Sequence, residues 1–130
     1  MNNTMRKLTL LFALLAAIFN IGCKSNTLQN NYLVLASEDV MSDEAWKEVA
    51  NTIALKHNAE IVTLATAPRD VLQEIREVYP RYVAIVDKPE NIGRDYVIDL
   101  HMMCREVDND IYGDFMWGII TGYDAAAAMR

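Results

Sequence analysis

Three groupings of side chains in this sequence could do chemistry. His101 and Cys104 lie three positions apart, a spacing that makes an imidazole and a thiol neighbours on a helix and would suit a nucleophile beside its base. Their setting argues against that use. Cys104 falls on an apolar stripe, where a thiol behaves as an inert small hydrophobe, and His101 lies at the edge of that stripe as a half-exposed spacer. Asp108, Asp110 and Asp114 gather hard oxygen donors in one short segment, the donor type calcium selects, and are the candidate metal ligands. Tyr112 stands where the helix-loop-helix calcium consensus has an oxygen ligand, and the distal Glu is absent, so a solvated acidic turn is the alternative. Ser37 and Asp87 close two apolar runs of strand length and are the candidate ligand-binding residues.

Other chemistry is excluded by omission and by charge. No Cys-x-x-Cys, His-Glu-x-x-His or Gly-x-Ser-x-Gly occurs, and two cysteines, Cys23 and Cys104, cannot build a disulfide scaffold. The chain has 12 basic and 18 acidic residues, and without Arg6 and Lys7 of the leader the basic count falls to 10 and the formal charge to −8. The remaining cations are scattered singly, so a polyanion would be repelled and nucleic acid is not an expected partner.

The amino terminus has the order of an export signal. Arg6 and Lys7 precede the uncharged run Leu8 to Phe19, whose 12 residues fall short of the about 20 that a membrane-spanning helix needs. Asn20-Ile21-Gly22-Cys23 follows and resembles a bacterial lipobox, in which a small residue precedes a cysteine that is diacylated before cleavage on its amino side. Gly22 and Cys23 match that pattern, and Asn20 stands where it has an aliphatic residue. Residues 1–22 are therefore expected to be a lipoprotein signal peptide and Cys23 the lipidated residue, with 23–31 a polar tether. Two acyl chains suffice for stable anchoring, so the expected location is the bacterial cell envelope, the membrane being reached through the lipid on Cys23.

Residues 32–130 must supply the elements that position the candidate residues. Tyr32 to Ala36, Glu60 to Ala65, Tyr82 to Val86 and Phe115 to Thr121 read as strands. Between them, Ser42 is placed to cap a helix whose Trp46, Val49, Ala50 and Ile53 share a face and which Asn58 ends. A second helix begins near Pro68, carries Val71, Leu72, Ile75 and Val78 inward, and stops at Pro80. A third runs from Arg94 to Val107 with Tyr96, Val97, Leu100, Met103, Cys104 and Val107 on one side, and a loop over Asp108 to Asp114 follows. Such alternation predicts an α/β fold: a parallel four-stranded sheet with helices on both faces, flavodoxin- or caspase-like, in the order 2-1-3-4. His57 is expected to complement the dipole of the helix it closes, and Trp46 and Trp117 to pack in the core.

The segments RYVAIVDKPENIGRDYV and DNDIYGDFMWGIITGYDAAAAMR are similar to the amino-terminal part of the caspase-like domain of gingipain-type cysteine peptidases. In that family an Asp-rich loop with an aromatic residue leads into a strand containing Gly-Arg and then a helix; here the strand reads Trp117-Gly118-Ile119. The resemblance implies that the family's catalytic His and Cys would lie beyond the position of Arg130. On this reading the chain is an incomplete peptidase domain, inactive alone. Independently, Arg130 comes only six residues after Asp124, fewer than the about 10–12 of a helix that covers a sheet. The alternative is a non-catalytic lipoprotein that takes a protein, a peptide or a small ligand at the carboxyl ends of its strands. A small enzyme using Asp87 or the Asp loop is a third reading, for which no base, nucleophile and oxyanion donor can be named together.

Overall fold

Runs of Val, Ile, Leu and Ala five or six residues long, bounded by polar or turn residues, become strands buried on both faces when helices cover the sheet. The computed structural model describes residues 31–130, and within them the runs form β1 (Tyr32–Ser37), β2 (Glu60–Leu64), β3 (Tyr82–Val86) and β4 (Met116–Ile120). The leader, Cys23 and the tether up to residue 30 lie outside the described residues. All three strand pairings are parallel and the order is β2-β1-β3-β4, with Leu35 opposite Val62 on one side and Ile85 on the other. The protein is thus an α/β domain with the expected sheet order.

Parallel neighbours require crossovers, and these are helical. Glu38–Ser42 forms α1 and Glu44–His57 α2; a 3₁₀ turn at Pro68–Val71 leads into α3 (Leu72–Val78); α4 spans Arg94–Met103 and α5 Ala125–Ala128. Side chains alternate across β1, so Leu33 and Leu35 face one layer and Val34 and Ala36 the other. The first layer is filled from α3 and α4 by Ile75, Leu100 and Met103, and the second from α2 by Trp46, Val49 and Ala50. Each fully buried Leu, Ile or Val contributes about 1.5–3 kcal/mol, which is why the central strands β1 and β3 hold the sheet together.

Several local expectations are corrected. Ser37 does more than close the β1 run, because it also starts α1: its hydroxyl accepts from Val40 N at 3.3 Å, and Glu38 and Asp39 occupy the first turn. Ser42 does not cap α2, because its hydroxyl donates back to the Glu38 carbonyl at 2.7 Å; Asp43 caps instead, accepting from Ala45 N and Trp46 N. The third crossover helix stops at Met103 and continues as turns, leaving Val97 exposed while Val107 is buried. Trp117 is only half-buried, and β4 as a whole is less enclosed than β1 and β3, since it is an edge strand paired with β3 alone.

Other features match. Asn58 adopts the left-handed conformation (φ 50°) and ends α2, and Tyr79 does the same for α3 (φ 49°) just before Pro80. His57 lies in the last turn of α2, and its ring also stacks on Tyr32 at 4.0 Å and 2°. No helix of the described residues is long and apolar enough to cross a membrane.

Candidate functional site

The chain leaves β1 to build β2 on one side and returns to build β3 on the other, so the connections diverge at the carboxyl ends of β1 and β3. A crevice forms at such a divergence in open parallel sheets. Here Ser37 is the last residue of β1 and Asp87 follows the last residue of β3, and the structure brings the two sequence-chosen residues into contact: Ser37 Oγ donates to Asp87 Oδ1 at 2.8 Å. Asp87 N donates to Ile120 O at 3.3 Å, extending the β3–β4 ladder by one residue and fixing the carboxylate at the sheet's rim.

Asp87 is 2 % exposed, the only buried charged residue among those described. A buried carboxylate demands donors, and its Oδ1 receives three: the Ser37 hydroxyl, Lys88 N at 2.8 Å and Asn91 Nδ2 at 2.9 Å. Tyr96, from the first turn of α4, sets its buried hydroxyl beside this carboxylate, the donor that faces its remaining lone pairs. Burial, then the charge of Asp87, pushes the Tyr96 phenol far above its ordinary value, so the group is a neutral hydroxyl at any physiological pH.

These groups line a half-open cleft of about 290 Å³ together with the exposed Glu38 and Asp39 of α1 and with Ala65 and Thr66 beyond β2. Asn91 also reaches Asp39 Oδ2 at 3.4 Å. Lys88, the cation nearest in sequence, is spent elsewhere: its Nζ lies 3.1 Å from Asp43 Oδ2, and this hydrogen bond holds the Asp43 carboxyl below its usual value against the opposing effect of burial. The cleft therefore offers carboxylates, the hydroxyls of Ser37, Thr66 and Tyr96 and an amide, and no basic side chain lines it. Asn91 and Tyr96 were not singled out by sequence. Asn91 falls outside every element read from the sequence and Tyr96 reads as part of an apolar stripe; the available signal was an amide four residues past a strand-ending Asp.

The remaining candidates lie apart. The Asp108 to Asp114 loop leads into the amino end of β4, on the rim opposite the cleft. Its three carboxylates approach within 4.8 Å of one another. Asp108 Oδ1 and Asp110 Oδ1 accept from Asp110 N and Tyr112 N at 2.8 and 2.7 Å, the pattern of polar turns. Burial, then the charge of Asp108, raises the Asp114 carboxyl above its usual value, and Asp114 Oδ2 is buried without a partner. Cys104 is buried, its Sγ donating to Phe115 O at 3.0 Å, whereas His101 is exposed, so the two do not form a catalytic dyad.

What the fold and the site define together is an α/β domain with an acidic cleft at its switch point. No family model, no curated protein and no solved structure matches the chain.

Proposed function

We propose that this domain binds a small ligand, or a side chain of a partner protein or peptide, in the cleft between the carboxyl ends of β1 and β3. One observation carries the reading: a carboxylate only 2 % exposed, held at the rim by three donors to Oδ1 and faced by the Tyr96 hydroxyl, lines a cleft of about 290 Å³ at the switch point. Polar groups fixed in this way at a switch-point crevice are a place for a ligand's polar atoms. Asp87 Oδ1 is occupied by three donors and no oxyanion donor can be named beside Ser37, so the role proposed is recognition. The test is nuclear magnetic resonance of the full chain in detergent against a library of small polar fragments. Shifts gathered on the Ser37, Lys88 and Asn91 signals are expected, and a library that leaves all three unmoved would remove the proposal.

The envelope location is proposed with it, on the order of basic residues, apolar run, Gly22 and Cys23. Metabolic labelling with a fatty acid should mark the wild-type protein and not Cys23→Ala. Equal labelling of both would end the claim.

A second reading, the front part of a gingipain-like cysteine peptidase, rests on the likeness of the Asp loop and of the Trp117-Gly118 strand and is compatible with a parallel sheet ordered 2-1-3-4. It requires a His and a Cys at strand ends encoded in frame beyond Arg130; a coding region without them would remove it.

A further inference from the structure

From the open edge of the sheet we infer that β4 pairs with the β4 of a second copy of this chain, antiparallel about a two-fold axis at Gly118, so that one continuous sheet runs through two domains. The inference stands apart from the cleft reading. β4 pairs with β3 alone. Met116 N donates to Arg81 O and Ile120 O accepts from Asp87 N, so Met116, Gly118 and Ile120 turn their backbone groups towards β3. By alternation Trp117 and Ile119 turn theirs to the open side, where no strand of the described residues meets them. Edge strands are ordinarily guarded by charge, and β2, the other edge, begins with the exposed Glu60. β4 lies within residues 115–123, the longest uncharged run among those described.

Several features make the occupant a copy of the same strand. A two-fold axis at Gly118 sets Trp117 opposite Ile119 of the other copy, and these are the two residues whose N–H and C=O face outward, so donors and acceptors match pair by pair. Each pair also lays an aromatic ring against a β-branched side chain, on the one face that Trp117 and Ile119 share. Gly118 meets itself on the axis as a non-hydrogen-bonded pair, whose Cα atoms approach to about 4.5 Å, and it brings no side chain to clash there. Charge is compatible as well. A formal charge of −6 opposes association wherever acids would meet, but in this register Asp114 falls across from Gly122 of the other copy and Asp124 from Tyr112. Reversal brings the exposed Ile111 and Tyr112, which precede β4, to the same rim as the exposed Tyr123 that follows β4 in the other copy, and this widens the contact beyond the strands. An interface built on two short strands is small, and the dimer is accordingly of micromolar strength.

The experiment is sedimentation of the full chain in detergent over a range of concentrations. A reversible equilibrium between monomer and dimer is expected. A Cβ at Gly118 enters open space, so Gly118→Asp should keep the fold and raise the dissociation constant about tenfold or more, because two carboxylates then face each other across the axis. Gly118→Lys alone should do the same. Mixing the two variants should restore a dimer containing one of each, which damage to the fold cannot produce. In a Cys23→Ala background, Gly118→Cys should oxidise to a linked dimer and Glu60→Cys on the opposite edge should not. A chain monomeric at every concentration, a dimer that Gly118→Asp leaves intact, a mixture of Gly118→Asp and Gly118→Lys that stays monomeric, or equal linking at the two positions would each overturn the inference.

Discussion

The Ser37 hydroxyl bonds to Asp87 Oδ1 at 2.8 Å across fifty positions of sequence, and the same oxygen accepts from Val40 N. One side chain thus joins the end of β1 to the end of β3 and starts α1. Ser37→Ala removes a donor from a buried carboxylate and a helix cap together, and is expected to cost about 1–3 kcal/mol in a urea titration. Ser42→Ala, which removes an exposed hydroxyl bonded to the Glu38 carbonyl, should change stability by less than about 0.5 kcal/mol. Similar costs for the two would mean that the Ser37–Asp87 bond does not matter.

Gly118 and Gly122 should respond oppositely to alanine. A Cβ at Gly118 meets nothing within 4 Å, and glycine in a strand is unfavourable, so Gly118→Ala should be neutral or stabilising by about 0.5 kcal/mol. At Gly122 a Cβ would stand 2.7 Å from Ala128 N and 3.0 Å from Asp124 O, backbone atoms that move only with α5, and Gly122→Ala should cost about 1–3 kcal/mol. Thermal midpoints of the two variants check the contrast, which a destabilised Gly118→Ala would contradict.

Asp114 sets a pH dependence. Burial and Asp108 raise its carboxyl in the folded state, so the charged form works against the fold. Stability linked to this group is fully present below its unfolded value and is lost as pH rises through the folded one. Asp114→Asn should therefore equal wild type at acid pH and surpass it as pH climbs beyond the carboxylate range; a difference that stays constant or reverses would count against the assignment. Asp108 and Asp110 already spend an oxygen each on the loop's own N–H groups, so calcium at about 1 mM should add no more than ~0.4 kcal/mol.

Cys104 is enclosed, with Sγ bonded to Phe115 O and a Cβ at Gly113 standing only 3.1 Å away. In a Cys23→Ala background it is the single thiol of the chain. A thiol reagent should then label it at the rate of local opening, slowly in buffer and at once in denaturant. Prompt labelling in buffer would show that the turn after α4 is open.

The strands were legible because burial on two faces leaves an unbroken apolar run, and Tyr82 to Val86 appears in the structure with the same limits it has in the sequence. Ser37 and Asp87 were legible for the same reason, as the polar residues that end such runs. The five-residue α1 was not, since it is too short to show a helical period; only the cap and the two acids of its first turn marked it. The shift of the α2 cap from Ser42 to Asp43 depends on where the Ser42 hydroxyl finds an acceptor, which spacing does not specify. Trp117 looked like core because edge and centre strands share composition, and its half-exposure follows from the place of β4 in the sheet. Tyr96 joined the site through the tertiary meeting of α4 with the end of β3, which no local pattern contains.

Because every strand points the same way, the two rims of the sheet have opposite neighbours. The chain enters at the rim where the strands begin, and the five steps from Tyr32 to Ser37 along β1 carry it about 17 Å to the other rim. The cleft therefore belongs to the pole of the domain that faces away from the point at which the chain enters it.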